Sequence, residues 1–169
     1  MKINNFYNYI EESYLDSNFT PIYHKTTTYD FYKIINENIL RTSEVKHPFN
    51  NEFIKMVSFT RNPKLDLSYF KFFLDVVIKL DKNLLNKNYK IIPYDFFINT
   101  NKEKFPKSNL SRKEPFEFEE IILKDIDNVI DYIISVDFEN NTITDRQVAM
   151  TLPILRKNNI KIYNNGEIF

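Results

Sequence analysis

The residues of this chain best suited to chemistry are three acids, Glu117, Glu119 and Glu120, at the mouth of the apolar run Ile121-Ile122-Leu123. In an extended segment, side chains alternate between faces. Glu117 and Glu119 then share one face, and Phe116 and Phe118 turn the other way, toward a core. Two carboxylates on one face repel each other. They are useful where one must bind sugar hydroxyls and the other must stabilise a developing cation. The plainer reading is a solvated strand edge, because paired acids are common surface features. Two further segments carry polar side chains of interest. Tyr23-His24-Lys25-Thr26 stands at a strand end before a helix, and Ser58-Phe59-Thr60-Arg61 runs into Asn62-Pro63. Each also has an ordinary interpretation: a hydrogen-bonded structural histidine, outward strand residues, and an arginine paired with an acid at the surface.

The elements that must position these residues follow from periodicity. Ile3, Phe6, Tyr7, Ile10 and Tyr14 recur at near-helical spacing, predicting an N-terminal helix within residues 1–18. Pro21 to His24 reads as a short strand. Thr26-Thr27-Thr28 supplies N-caps for a helix over 28–38 that carries Phe31, Ile34 and Ile35. Residues 39–41 form an exit turn or short strand, and the polar stretch 43–53 reads as a loop. A strand follows over 55–61, ended by Asn62-Pro63. Leu67, Phe70, Phe73 and Leu74 suggest a helical turn. Residues 75–81 read as a strand, with Asp81 as a cap, and residues 89–94 as another. The Lys- and Asn-rich stretch 98–113 reads as a mobile surface loop. After the acids come a helical turn at 126–130, a strand at 132–138, a helix capped by Thr144 or Asp145 and running to about Asn158, and a closing strand at 160–163. The expected architecture is a single α+β domain over 1–169, with a mixed, largely antiparallel sheet and flanking helices.

Composition excludes several classes. The 169 residues are enough for one ordinary domain, and 43% hydrophobic residues are enough to fill its core. Lysine plus arginine equal aspartate plus glutamate at 23 each, so no broad basic surface is implied. With no cysteine, disulfide frameworks, zinc–thiolate sites and thiol nucleophiles are ruled out. The single glycine, Gly166, argues against any glycine-rich phosphate loop. Two histidines without helical spacing make a metal site improbable, and no Gly-x-Ser-x-Gly elbow is present. No run reaches the ~18 apolar residues that a bilayer span requires, and the N-terminus has no secretory h-region. The expectation is a cytoplasmic protein of a bacterial host cell. Its abundance of Asn, Lys, Ile and Tyr fits the coding bias of a low-GC bacterium, phage or plasmid.

The three polar segments, in this order, resemble the ADP-ribosyltransferase superfamily. There a first strand carries His or Arg, a middle strand carries a Ser-x-Ser/Thr or Tyr element, and a late strand carries the catalytic Glu, often as Glu-x-Glu. The resemblance covers roughly residues 21 to 138. The His-containing segment and Phe59-Thr60-Arg61-Asn62-Pro63 are similar to DarT-like enzymes, which modify DNA bases, and to small uncharacterised phage proteins. Lys25 departs from the pattern, standing where the superfamily usually has Gly. The helix exit at Asn38-Ile39-Leu40 also lacks a usual Gly.

What the resemblance implies is NAD as a substrate, held bent in a cleft and cleaved between nicotinamide and ribose through an oxocarbenium-like transition state. It assigns Glu119 to the ribose hydroxyl and the developing cation, and Glu117 to the incoming nucleophile, with Glu120 an alternative for the catalytic acid. His24 would bind the adenosine ribose, and Thr26, Ser58 and Thr60 would line the NAD site. Arg61 would pair with the pyrophosphate, and Tyr94, Tyr29 or Tyr89 would stack on nicotinamide. The acceptor would be a macromolecule, protein or nucleic acid, of a host or competitor. Two other readings stay open. One is a catalytically silent module of the same fold that binds a host protein. The other is an RNA phosphate-transfer enzyme drawing on Arg61, Arg112 and Lys113.

Overall fold

The structure is a computed structural model and describes residues 21–46, 53–61, 74–93 and 120–169. The expected N-terminal helix, the turn around Phe70 and the 98–113 loop lie outside these residues, as do Glu117, Glu119 and Tyr94.

Strand β1 (Ile22–Thr26) leads directly into helix α1 (Thr28–Glu37). Thr27 caps the helix, its hydroxyl oxygen accepting the Asp30 backbone N–H at 3.1 Å. Asn38 ends it in the left-handed conformation, φ 54°. The apolar stripe Phe31, Ile34 and Ile35 is buried, as helical spacing predicts. Strand β2 (Ile39–Leu40) then pairs with β8 (Ile126–Asp127). Residues 43–46, read from sequence as loop, form strand β3 (Ser43–Lys46) against β4 (Phe53–Phe59). Its polar composition has a simple cause: among the described residues β3 is the outer strand of its sheet, with no second neighbour. Strand β5 (Val76–Leu80) meets its expected place, and Asp81 caps helix α2 (Lys82–Asn88) by accepting the Leu84 N–H at 2.9 Å. The strand expected over 89–94 shrinks to β6 (Ile92–Pro93), because Tyr89 instead closes α2. Strand β7 (Glu120–Ile122) follows. The helical turn expected at 126–130 is displaced to a 3₁₀ turn at Val129–Tyr132, with β8 taking Ile126. Strand β9 (Ile133–Phe138), helix α3 (Arg146–Lys157) and β10 (Lys161–Asn164) stand where periodicity put them. A final strand, β11 (Glu167–Ile168), was not anticipated. It folds back on β10 through Asn165-Gly166, both at positive φ, 52° and 82°. That pairing of residue types is a strong tight-hairpin signal.

The strands form a five-stranded sheet in the order β1-β5-β9-β10-β11 and a four-stranded sheet in the order β3-β4-β7-β6, with the β2-β8 pair apart. Among the described residues, every pairing is antiparallel except β9 with β10, which α3 connects. On the larger sheet, Ile22, Ile78, Leu80, Val136 and Phe138 make one face of the core, beside α1 and α3 residues such as Phe31, Ile35, Val148 and Leu155. Phe31 meets Phe138 edge to face at 5.4 Å. The two sheets are stitched together where β1 passes β4: Tyr23 and Thr60 exchange backbone hydrogen bonds of 2.8 and 2.9 Å. No helix among the described residues is long and apolar enough to cross a membrane.

One conformational feature recurs at the turns. Among the described residues, six non-glycine residues adopt positive φ, and all are asparagine: Asn38, Asn128, Asn140, Asn141, Asn159 and Asn165. Asparagine is among the few residues that tolerate this region.

Candidate active site

The stitch between the sheets sets the geometry of the site. Because Tyr23 lies opposite Thr60 in antiparallel pairing, the next pair inward is His24 opposite Phe59. On the far side of β4, Phe59 lies opposite Glu120. His24, Phe59 and Glu120 thus stand in one row across β1, β4 and β7, on one face. The His24 ring packs edge-on against Phe59 at 6.0 Å. Phe59 is buried, and it is the apolar divider between a histidine and an acid.

Glu120 is the buried acid of the described residues, only 1% exposed. Burying a carboxylate alone is costly, so partners are required. Two are supplied, both on the same oxygen. Arg61, at the end of β4, donates from Nη2 to Glu120 Oε1 at 3.0 Å. Lys82, the first residue of α2, donates from Nζ to the same oxygen at 2.5 Å. The other carboxylate oxygen, Oε2, is buried and accepts no hydrogen bond among the described residues. Burial is the main influence on the Lys82 ammonium and lowers its pKa below the ordinary 10.5; Arg61 adds to the fall and Glu120 opposes it.

His24 is half-buried. Its Nδ1 donates to the Ser58 carbonyl at 3.0 Å, which leaves Nε2 as an acceptor. Burial lowers its pKa below 6.5, against opposing pulls from the Ser58 carbonyl and the Asp30 carboxylate. The ring is therefore neutral at pH 7.

The remaining candidates are distributed around this row. Thr26 lies two residues beyond His24 on the same side of β1 and is buried. Ser58 contributes its carbonyl to His24, but strand alternation turns its side chain, and that of Thr60, to the face opposite Phe59 and Glu120. Arg61 was read from sequence as a pyrophosphate ligand; here its guanidinium engages Glu120. Tyr29 is exposed and carries Lys33 Nζ over its ring at 4.1 Å. Tyr89 is a core residue. Its ring is buried edge-on against Tyr132 at 5.9 Å and its hydroxyl accepts the Asp127 N–H at 3.0 Å, so it is not placed to stack on a ligand. Lys25, the departure from the expected Gly, alternates to the face away from His24. Its Nζ lies 3.9 Å from Glu139, so the added side chain leaves the His24 face unobstructed. Lys82 escaped the sequence reading. No spacing ties positions 61, 82 and 120 together; the one available hint was a lysine just inside a helix start that Asp81 announces. Among the described residues, no group of three or more His, Asp or Glu side chains is arranged to hold a metal.

The two joined sheets, with α1 and α3 against the larger one, make a mixed α+β fold. No protein-family model matches the chain, and no curated protein matches it significantly. Among solved structures the chain is similar to Thermus sp. 2.9 DarT in complex with NAD+, with a TM-score of 0.54 and 12% identity over 89% of this chain and 97% of that one. It is also similar to Thermus sp. 2.9 DarT in complex with ADP-ribosylated ssDNA, with a TM-score of 0.52 and 11% identity over 87% and 94%. At this identity the likeness establishes the fold.

Proposed function

We propose that this protein is an NAD-dependent ADP-ribosyltransferase that modifies a nucleic-acid acceptor, with Glu120 as the acid of the reacting centre. The observation that carries this reading is the state of Glu120: buried, clamped by two cations on Oε1, and left with a buried Oε2 that no described donor satisfies. A buried acceptor without a donor is rare in a folded protein and calls for an explanation. A ribose hydroxyl supplies the missing donor, so the residues present fit this group.

When bound, NAD would supply a ribose carbon activated by its positively charged nicotinamide leaving group. Glu120 would accept a hydrogen bond from that ribose through Oε2 and stabilise the positive charge that develops at the neighbouring carbon. Held carboxylates of this kind act by preorganised electrostatics. Neutral His24, its ring fixed by the Ser58 carbonyl, would accept a second ribose hydroxyl through Nε2. Arg61 would hold Glu120 in place. Glu117 and Glu119, just upstream of β7, remain candidates for orienting the acceptor, and Tyr94 for stacking on nicotinamide. The preference for nucleic acid over protein as acceptor draws on the DarT structure that holds ADP-ribosylated ssDNA, and on the DarT-like motif order in the sequence.

The test is incubation of the purified protein with labelled NAD and a bacterial lysate, followed by nuclease or protease. Label lost to nuclease supports the reading. Label lost to protease keeps the transferase and changes the acceptor. A folded sample that neither transfers label nor releases nicotinamide overturns the enzyme and leaves a silent module that binds a host protein.

A further inference from the structure

The transferase reading uses Glu120, Arg61 and His24 and leaves Lys82 without a role. Yet Lys82 donates to the same Glu120 oxygen as Arg61. It comes from a different part of the fold, the first turn of α2, which Asp81 fixes. Its side chain is 17% exposed, so most of it is withdrawn from water. Both cations converge on Oε1. With one arginine, a carboxylate can still rotate and share its two oxygens between donors. A second cation on the same oxygen, approaching from another element, holds Oε1 in place and keeps Oε2 for a ligand.

We propose that Lys82 is a positioning residue of this site, one that locks the Glu120 carboxylate with Oε2 turned to the ligand. The proposal rests on the transferase reading above. Of the two clamps, Arg61 keeps its charge at every accessible pH, whereas Lys82 can lose its proton. Among the described residues, the charged groups that face Lys82 are Glu120 from β7 and Arg61 from β4. Burial and Arg61 both favour the neutral amine, so the clamp opens at a lower pH than an ordinary lysine would titrate. Of the two described cations on Glu120, loss of that proton leaves only Arg61 charged. The rate of NAD cleavage should therefore fall on an alkaline limb that belongs to Lys82.

Nicotinamide release would be followed against pH for the full-length wild type, Lys82→Arg and Lys82→Met, with folding checked by circular dichroism. Misplacing a catalytic group by an ångström can cost on the order of 10²-fold. Lys82→Met is expected to lower kcat to that extent while the KM for NAD stays within about twofold, the pattern of a lost transition-state interaction. Lys82→Arg should restore much of kcat and push the alkaline limb upward, because its charge no longer titrates. A merely structural lysine would not produce that shift. Should Lys82→Met fail to fold, the Lys82→Arg profile decides alone: an unmoved alkaline limb overturns the proposal. Wild-type turnover with an unchanged Lys82→Met overturns the positioning role and spares the transferase reading. Absence of turnover in folded wild type overturns both.

Discussion

His24 and Glu120 lie one strand to either side of Phe59 and on the same face, so the pairing register of β1, β4 and β7 holds the histidine and the acid roughly 10 Å apart. Neither residue touches the other. Their separation is a property of two backbone ladders and one aromatic ring, and Phe59→Ala should disturb it. Phe59 is 2% exposed, so its truncation should cost about 3–5 kcal/mol. Chemical denaturation would show a midpoint shift of that size. Phe59→Leu should cost less stability but still depress nicotinamide release.

Glu120→Gln keeps the shape of the side chain and removes its charge. The variant should fold, and NAD cleavage should drop by about 10²–10³-fold. Nicotinamide release measured beside the wild type is the check. Glu120→Ala is predicted to behave differently. It removes the buried acid that Arg61 and Lys82 both engage, and a loss of about 3–5 kcal/mol should appear in its urea midpoint. A Glu120→Gln variant with full activity would move the catalytic assignment upstream, to Glu117 or Glu119.

Acid should weaken the fold through His24. Its pKa is lower in the folded chain than the 6.5 of an unfolded one, so the unfolded chain binds the proton more readily. Stability rises with pH wherever the unfolded state holds more protons. The His24 contribution is therefore complete above about pH 6.5 and is lost as pH falls toward the folded value. Urea titrations at about pH 7.5 and pH 5.5 should show the wild type losing more stability on acidification than His24→Gln. Equal losses would mean the ring is not held neutral.

Asp81 caps the short helix that presents Lys82. Asp81→Ala should cost about 1 kcal/mol, as lost caps do, and lower Tm by roughly 2–4 °C for a chain of this size. Differential scanning calorimetry measures that. If Lys82 clamps Glu120, the same variant should also slow NAD cleavage more than so small a stability loss explains.

Gly166 tests a purely conformational requirement. Nothing lies within 4 Å of where a Cβ would be added, yet the residue sits at φ +82°. Gly166→Ala should therefore be destabilising by about 1–2 kcal/mol through backbone strain alone. Gly166→Asn should recover part of that, and thermal melts of the two variants would show the difference.

Much of the fold was legible because it rests on local rules. The Phe31-Ile34-Ile35 stripe, the alternation through Ile133–Phe138 and the caps at Thr27, Asp81 and Asp145 are all short-range signals, and the structure places elements on each. Strand β3 was not legible, since Ser43-Glu44-Val45-Lys46 is polar and becomes a strand only by borrowing the edge of β4. The site divides in the same way. His24, Arg61 and Glu120 stood out as candidates because each sits in a short motif at a strand end, although the sequence put Glu119 ahead of Glu120 and gave Arg61 to a pyrophosphate. Lys82 was not, because its link to Glu120 exists only once β4, β7 and the start of α2 are brought together. The alternation argument also set Glu117 and Glu119 on the face opposite Phe116 and Phe118. By the same parity, Glu120 falls on the core side with the phenylalanines, and that is where a buried acid was to be sought.

The left-handed turns of this chain have a consequence for how its gene can change. A glycine at such a position bends the backbone and does nothing else. Several of the asparagines used here also bond. Asn38 accepts the Ile130 N–H at 2.9 Å, Asn140 donates to Asp75 at 2.8 Å, and Asn165 donates to Asn141 at 2.9 Å. Replacement by glycine would keep the bend and cut the link; replacement by most other residues would keep neither. These surface asparagines, written in the AT-rich codons that the whole composition favours, are thus among the positions least free to drift, although nothing about their exposure would single them out.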